Sequence, residues 1–194
     1  FADSHIHYNW DQAEIISPQE VIDRLRRADV GLTIVAGTPS ELALKLRDAG
    51  GEWVIPFFSP YTHPTGKRDW FLRANTVIQA EDGLASGRFR GIGEVHFMDG
   101  FSPRPDNRIF VRLMQLARQY SVPVLIHVDA ADENYFLKIC SAYPDIRLIF
   151  AHAGGNLSPR HIRDILQKCG NVWVDLSARD PWRYGGMTSE DGLL

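Results

Sequence analysis

Short β-branched and apolar runs alternate along this chain with segments of helical period, and no other feature constrains its fold as strongly. The strand-like runs are 2–7 (ADSHIH), 32–36 (LTIVA), 53–58 (WVIPFF), 89–95 (FRGIGEV), 122–128 (VPVLIHV), 146–152 (IRLIFAH) and 172–177 (VWVDLS). Amphipathic stretches near 18–29, 39–49, 67–80, 106–120, 132–142 and 159–169 lie between them. Ser17-Pro18 followed by Glu20, and Ser158-Pro159, each put a capping side chain before a proline at the first helical position. A strand returned to its sheet by a helix crosses over right-handed and lies parallel, so this order predicts a parallel α/β sheet. No biased linker divides the chain, which reads as one domain over 1–194.

Two parallel architectures compete. An open, doubly wound sheet usually carries a glycine-rich phosphate loop after its first strand, but "SHIHYNW" stands there instead. A closed (β/α)8 TIM barrel fits better, and it places its active site at the carboxyl ends of the strands. Those ends are where the unusual residues fall: His5 and His7, Glu94 and His96, His127, His152, and Asp175 with Ser177. Side chains alternate along a strand, so Asp3, His5 and His7 share one face while Ala2, Ser4 and Ile6 share the other. By the same alternation Leu125 shares the face of His127, and Phe150 that of His152.

A single histidine in a barrel is usually a hydrogen-bonded structural residue. Four of them at the same ends of three strands would be costly to desolvate without a shared partner, and a metal is that partner. Imidazoles with a carboxylate form a zinc-type ligand set, and a catalytic zinc keeps a position open for water. The strand-end imidazoles and Glu94 are the candidates to hold one or two divalent ions, zinc first. Glu94 and His152 are also the candidates for the chemistry, Glu94 as a bridge or as a carboxylate orienting a histidine, His152 as acid, base or oxyanion partner. Substrate contacts are expected from His96, His63, Arg179 and Tyr61, and Trp10, Trp182 and Tyr184 join the loops at the same end. Asp3, one layer deeper than the histidines, suits an acceptor behind them. Gly154-Gly155 suits a sharp turn beside the site.

These residues resemble the amidohydrolase superfamily of metal-dependent hydrolases, from Asp3 to Asp175. "GIGEVHF" is similar to the fourth strand of TatD-like members, and "PVLIHVDA" and "LIFAHAGG" to the amidohydrolase-2 group, which also holds lactonases and decarboxylases. The resemblance implies a (β/α)8 barrel with ligands at His5, His7, Glu94, His127 and His152, and a metal-activated water cleaving a C–O, C–N or phosphoester bond. It implies a decarboxylase as the alternative, and a nuclease or noncatalytic metal module less readily. The family's eighth-strand Asp, its usual base, has no counterpart up to "TSEDGLL", so an eighth β/α unit is expected beyond Leu194, with Thr188 or Ser189 capping the helix before it.

Composition sets the partners. With 44% hydrophobic and 23% charged residues, a net charge of −3 and a pI near 6.2, the chain has no basic field for nucleic acid or an anionic membrane. A small-molecule substrate is expected, with homo-oligomerisation left open. No apolar run approaches the roughly 18 residues of a membrane span. A soluble, cytoplasmic protein is the expectation, although a first residue other than Met leaves room for a removed leader. Cys140 and Cys169, the two cysteines, read as small apolar fillers of helices.

Overall fold

The computed structural model describes residues 1–98, 103–129, 133–179 and 187. Among these, strands β1 (Ala2–His7), β2 (Leu32–Ala36), β3 (Val54–Phe57), β4 (Ile92–Phe97), β5 (Val124–Val128), β6 (Leu148–Phe150) and β7 (Val172–Val174) run parallel. They pair in sequence order, and a parallel bridge from Phe58 to Ile92 joins the first three to the last four. Helices α1 (Trp10–Ile15), α2 (Pro18–Arg27), α3 (Glu41–Gly50), α4 (Asn75–Ala85), α5 (Arg108–Gln119), α6 (Asn134–Ala142) and α7 (Pro159–Lys168) lie in the crossovers. This is the fold of a TIM barrel with seven strands described. The sheet curls far enough for His5 of β1 to stack on His152, just past β6, at 4.8 Å between ring centroids.

Alternation sorts the strand residues into two layers. Val35 and Val54 face outward against Ile22 of α2 and Leu42 and Leu46 of α3. Val124, Ile126 and Leu148 likewise meet Phe110 and Leu113 of α5, Phe136 of α6 and Ile162 of α7. Phe57, Leu125 and Ala151 fill the inside of the curl with Ile34, Ile55 and Ile149. Each fully buried Leu, Ile or Phe contributes about 1.5–3 kcal/mol by leaving water, so this double layer carries the fold. Ser17 and Glu20 form the expected capping box on α2, and Ser158 accepts from the His161 N–H to cap α7.

Four expectations change. The helix expected over 67–80 is two 3-10 turns, Pro64–Arg68 and Trp70–Leu72, followed by α4, because Trp70 turns inward to pack against Phe97 and Phe110. Trp10 begins α1 rather than lying in a loop. Cys140 and Cys169 are buried as expected but are joined in a disulfide, which ties α6 to the end of α7. Phe150 does not share the inner face with His152. It stacks on Phe136 in the outer layer, and Ile149 faces inward. The strand ends at Phe150, and His152 sits in a 3-10 turn over Ala151–Gly154 with φ of 54°, which resets the phase. Trp182, Tyr184, Thr188 and Ser189 lie outside the described residues.

Candidate metal centre

Glu94 is the middle of the site. Its carboxylate, 2% exposed, lies 2.9 Å from His127 Nδ1, 3.2 Å from His7 Nε2, 3.5 Å from His152 Nε2 and 3.6 Å from His5 Nε2. Strand ends and one turn therefore deliver five side chains to one point. Gly93, with φ of 139°, makes the approach of β4 to β5 possible, since a Cβ there would stand 2.5 Å from the Leu125 carbonyl oxygen.

Each of the four imidazoles is held from behind. His5 donates from Nδ1 to Asp175 at 3.1 Å, His7 from Nδ1 to the Ala36 carbonyl at 3.2 Å, and His152 from Nδ1 to the Ser177 carbonyl at 2.9 Å. His127 is turned the other way, giving its Nε2–H to Asp129 at 2.7 Å. In the neutral rings a metal would need, each outer bond fixes a tautomer and leaves the opposite nitrogen's lone pair aimed at the Glu94 end of the site. That is how proteins present histidine to a metal. Three donor sets have ligand atoms within 4.8 Å of one another: His5, His7 and Glu94; Glu94, His127 and His152; and His5, His152 and Asp175. The residues present fit a divalent ion.

Charge supports the same reading. Burial opposes charge on Glu94, yet the imidazoles around it, His96, His127, His152 and His5, hold its carboxyl well below the usual range. Burial likewise opposes protonation of His5 and His127, but the carboxylates of Asp175, Asp129 and Glu94 outweigh it and push them up to about 10 and about 9. So in the metal-free chain these two rings carry the positive charge that balances the cluster. His7 is the most open of the set, its side chain 34% exposed, which puts the approach from solvent on that side.

Of the expected substrate residues, two reach the site. His96 lies on β4 with Nε2 3.3 Å from Glu94, and Tyr61 bonds its ring at 2.7 Å. Burial and the neighbouring His127 and Lys67 lower the His96 pKa to about 3 against the pull of Glu94, so the contact is with a neutral ring and is no ion pair. His63 bonds Thr65 in its own loop, and Arg179 is buried with a donor on the Leu157 carbonyl. Asp3 accepts from the His5 backbone N–H and so steadies the strand behind the ring. Residue type and spacing assign no role to Asp175, Asp129 or Lys67. Asp175 and Asp129 each stand near a histidine at a strand end, a signal for an orienting carboxylate.

The amidohydrolase family model matches residues 2–189. Among solved structures, an uncharacterized TIM-barrel protein of Bordetella bronchiseptica is similar, with a TM-score of 0.59 and 15% identity over 91% of this chain and 64% of its own length. A dihydroorotase from Campylobacter jejuni is similar with a TM-score of 0.54 and 12% identity, over 90% of this chain and 53% of its own. The chain thus spans less than two thirds of either protein. Among curated protein sequences, none matches.

Proposed function

Because the chain belongs to the amidohydrolase family, we propose that it is a metal-dependent hydrolase of a small molecule, cleaving a C–O, C–N or phosphoester bond. The observation that carries this reading is the arrangement of four histidines, each tied from behind and each turning its free nitrogen toward Glu94. His5, His7, His127 and His152, with Glu94, would hold the metal, and zinc suits a set of imidazoles with a carboxylate. A bound zinc would supply a water acidic enough to attack at neutral pH and an electrophile for the oxygen under attack.

The chain's own residues do the rest. Asp175, Asp129 and the carbonyls of Ala36 and Ser177 keep the four rings in their productive tautomers. Glu94 neutralises the positive charge gathered by the histidines. If Glu94 is itself a ligand shared by two ions, it belongs to both donor sets that contain it, His5 with His7 and His127 with His152. If it stands outside the ligand set, His152 Nε2 is left to accept a proton from the nucleophile and return it to the leaving group.

The test is a panel of lactones, amides and phosphoesters, run beside aromatic and unsaturated carboxylic acids, with the zinc-loaded protein. Ring opening or bond hydrolysis without carbon dioxide is expected. Carbon dioxide release with no hydrolysis anywhere would replace the hydrolase by a decarboxylase.

A further inference from the structure

Among the described residues, Lys67 is a cation that reaches the site without a carboxylate partner. Lys67, on the 3-10 turn after β3, points its ammonium at His96 Nε2, 3.0 Å away, on the nitrogen that also lies 3.3 Å from Glu94. An ammonium can only donate, so His96 Nε2 is the acceptor and its proton is on Nδ1, bonded to the Tyr61 hydroxyl. The ring is therefore locked as a neutral imidazole. Its backbone is held too, because its N–H donates to Tyr61 and its carbonyl accepts from Trp70 at 3.0 Å. Among the described residues no acidic side chain lies within ion-pair distance of Lys67, and one of its three N–H bonds is directed at His96. Lys67 is half-buried, which keeps it fixed at the edge of the cluster while leaving it open to a ligand.

Resting on the hydrolase reading, we propose that Lys67 is the anion-binding group of this site and that the substrate carries a small oxyanion, a carboxylate or a phosphate, beside the bond that is cleaved. A lysine needed only for packing would have no reason to direct its charge at a neutral ring next to the reaction centre. A lysine needed to neutralise Glu94 would pair with that carboxylate, and Lys67 is bonded to His96 Nε2 instead. Held by His96, the ammonium instead presents its remaining donors to whatever enters past His7. A charge-assisted bond of this kind supplies both affinity and orientation.

The experiment measures binding by calorimetry on zinc-loaded wild type, Lys67→Met and Lys67→Arg, with malonate, malonamide and inorganic phosphate as probes. Wild type is expected to bind malonate or phosphate at least about tenfold more tightly than malonamide. Lys67→Met should lose that preference with its zinc content unchanged, and Lys67→Arg should keep most of it. Whichever anion wins tells a carboxylate from a phosphate ligand. No anion preference in wild type, or an undiminished preference in Lys67→Met, overturns the proposal. Hydrolysis of the substrate panel is scored separately. Anion preference that depends on Lys67 in a protein that hydrolyses nothing would sink the hydrolase reading alone. Hydrolysis with Lys67→Met still preferring anions would sink this inference alone.

Discussion

Asp175 shows how much a residue behind the ligands can decide. It accepts from His5 Nδ1, and its second oxygen accepts from the His152 and Ser177 backbone N–H groups, so one carboxylate orients the His5 ring and anchors the backbone that carries His152. Asp175→Asn keeps the shape and removes the charge. It should weaken zinc binding by about 10–100-fold, read by competition with a chelator. Glu94→Gln goes further, removing the one group every ring faces. It should cut hydrolysis by about a hundredfold or more, and if Glu94 is shared by two ions it should also lower metal content by about one equivalent. The rings' protonation gives a third expectation. In chelator-treated protein the pKa values of His5 and His127 stand above the usual 6.5, at about 10 and about 9. Their stabilising contribution is then complete below pH 6.5 and is lost as pH rises through 9 to 10. The melting temperature of the metal-free chain should fall between about pH 7 and about pH 10, and zinc should remove most of that fall. An equal fall with zinc bound would show that these rings are not its ligands.

Among the strands and helices, the sequence makes legible whatever its periodicity dictates. β5 follows the alternation, so His127 and its inward neighbour Leu125 are found where the pattern puts them, and in β1 His5 and His7 both reach Glu94 although the pairing with β2 shifts register between Asp3 and Ile6. β6 does not, because His152 and Ala153 take positive φ without being glycine, a conformation that costs about 1–3 kcal/mol and that no periodicity encodes. The Gly154-Gly155 pair is the visible half of that turn. Helical period also fails over 64–72, where Trp70 trades a continuous helix for burial and a bond to the His96 carbonyl. The disulfide was hidden for a different reason: two cysteines 29 residues apart on amphipathic helices look the same whether they pack or bond. Denatured but unreduced protein should show no reactive thiol. Cys140→Ser should destabilise the fold by about 3–4 kcal/mol on loop-entropy grounds, measured by urea unfolding. Gly93→Ala should disturb both β4 and the site. Its Cβ would collide with backbone, so zinc binding and stability should fall together.

Over the full sheet, the parallel order of seven strands and the gathering of histidines at one end were both readable from strand–helix alternation and residue type. Unreadable was everything that depends on which side chain stands behind which: Asp175 behind His5, Asp129 behind His127, Lys67 behind His96. Such pairs join residues as far apart as 170 positions, and only the curl of the sheet brings them together. That this curl builds a metal centre around Glu94 is the central claim. The direct measurement is elemental analysis of zinc in purified wild type and in the His5→Ala/His7→Ala double variant, each shown to be folded by circular dichroism. Wild type should hold roughly one to two equivalents and the double variant at least about one fewer, in keeping with a site built from imidazole ligands. The same zinc content in both proteins would contradict it.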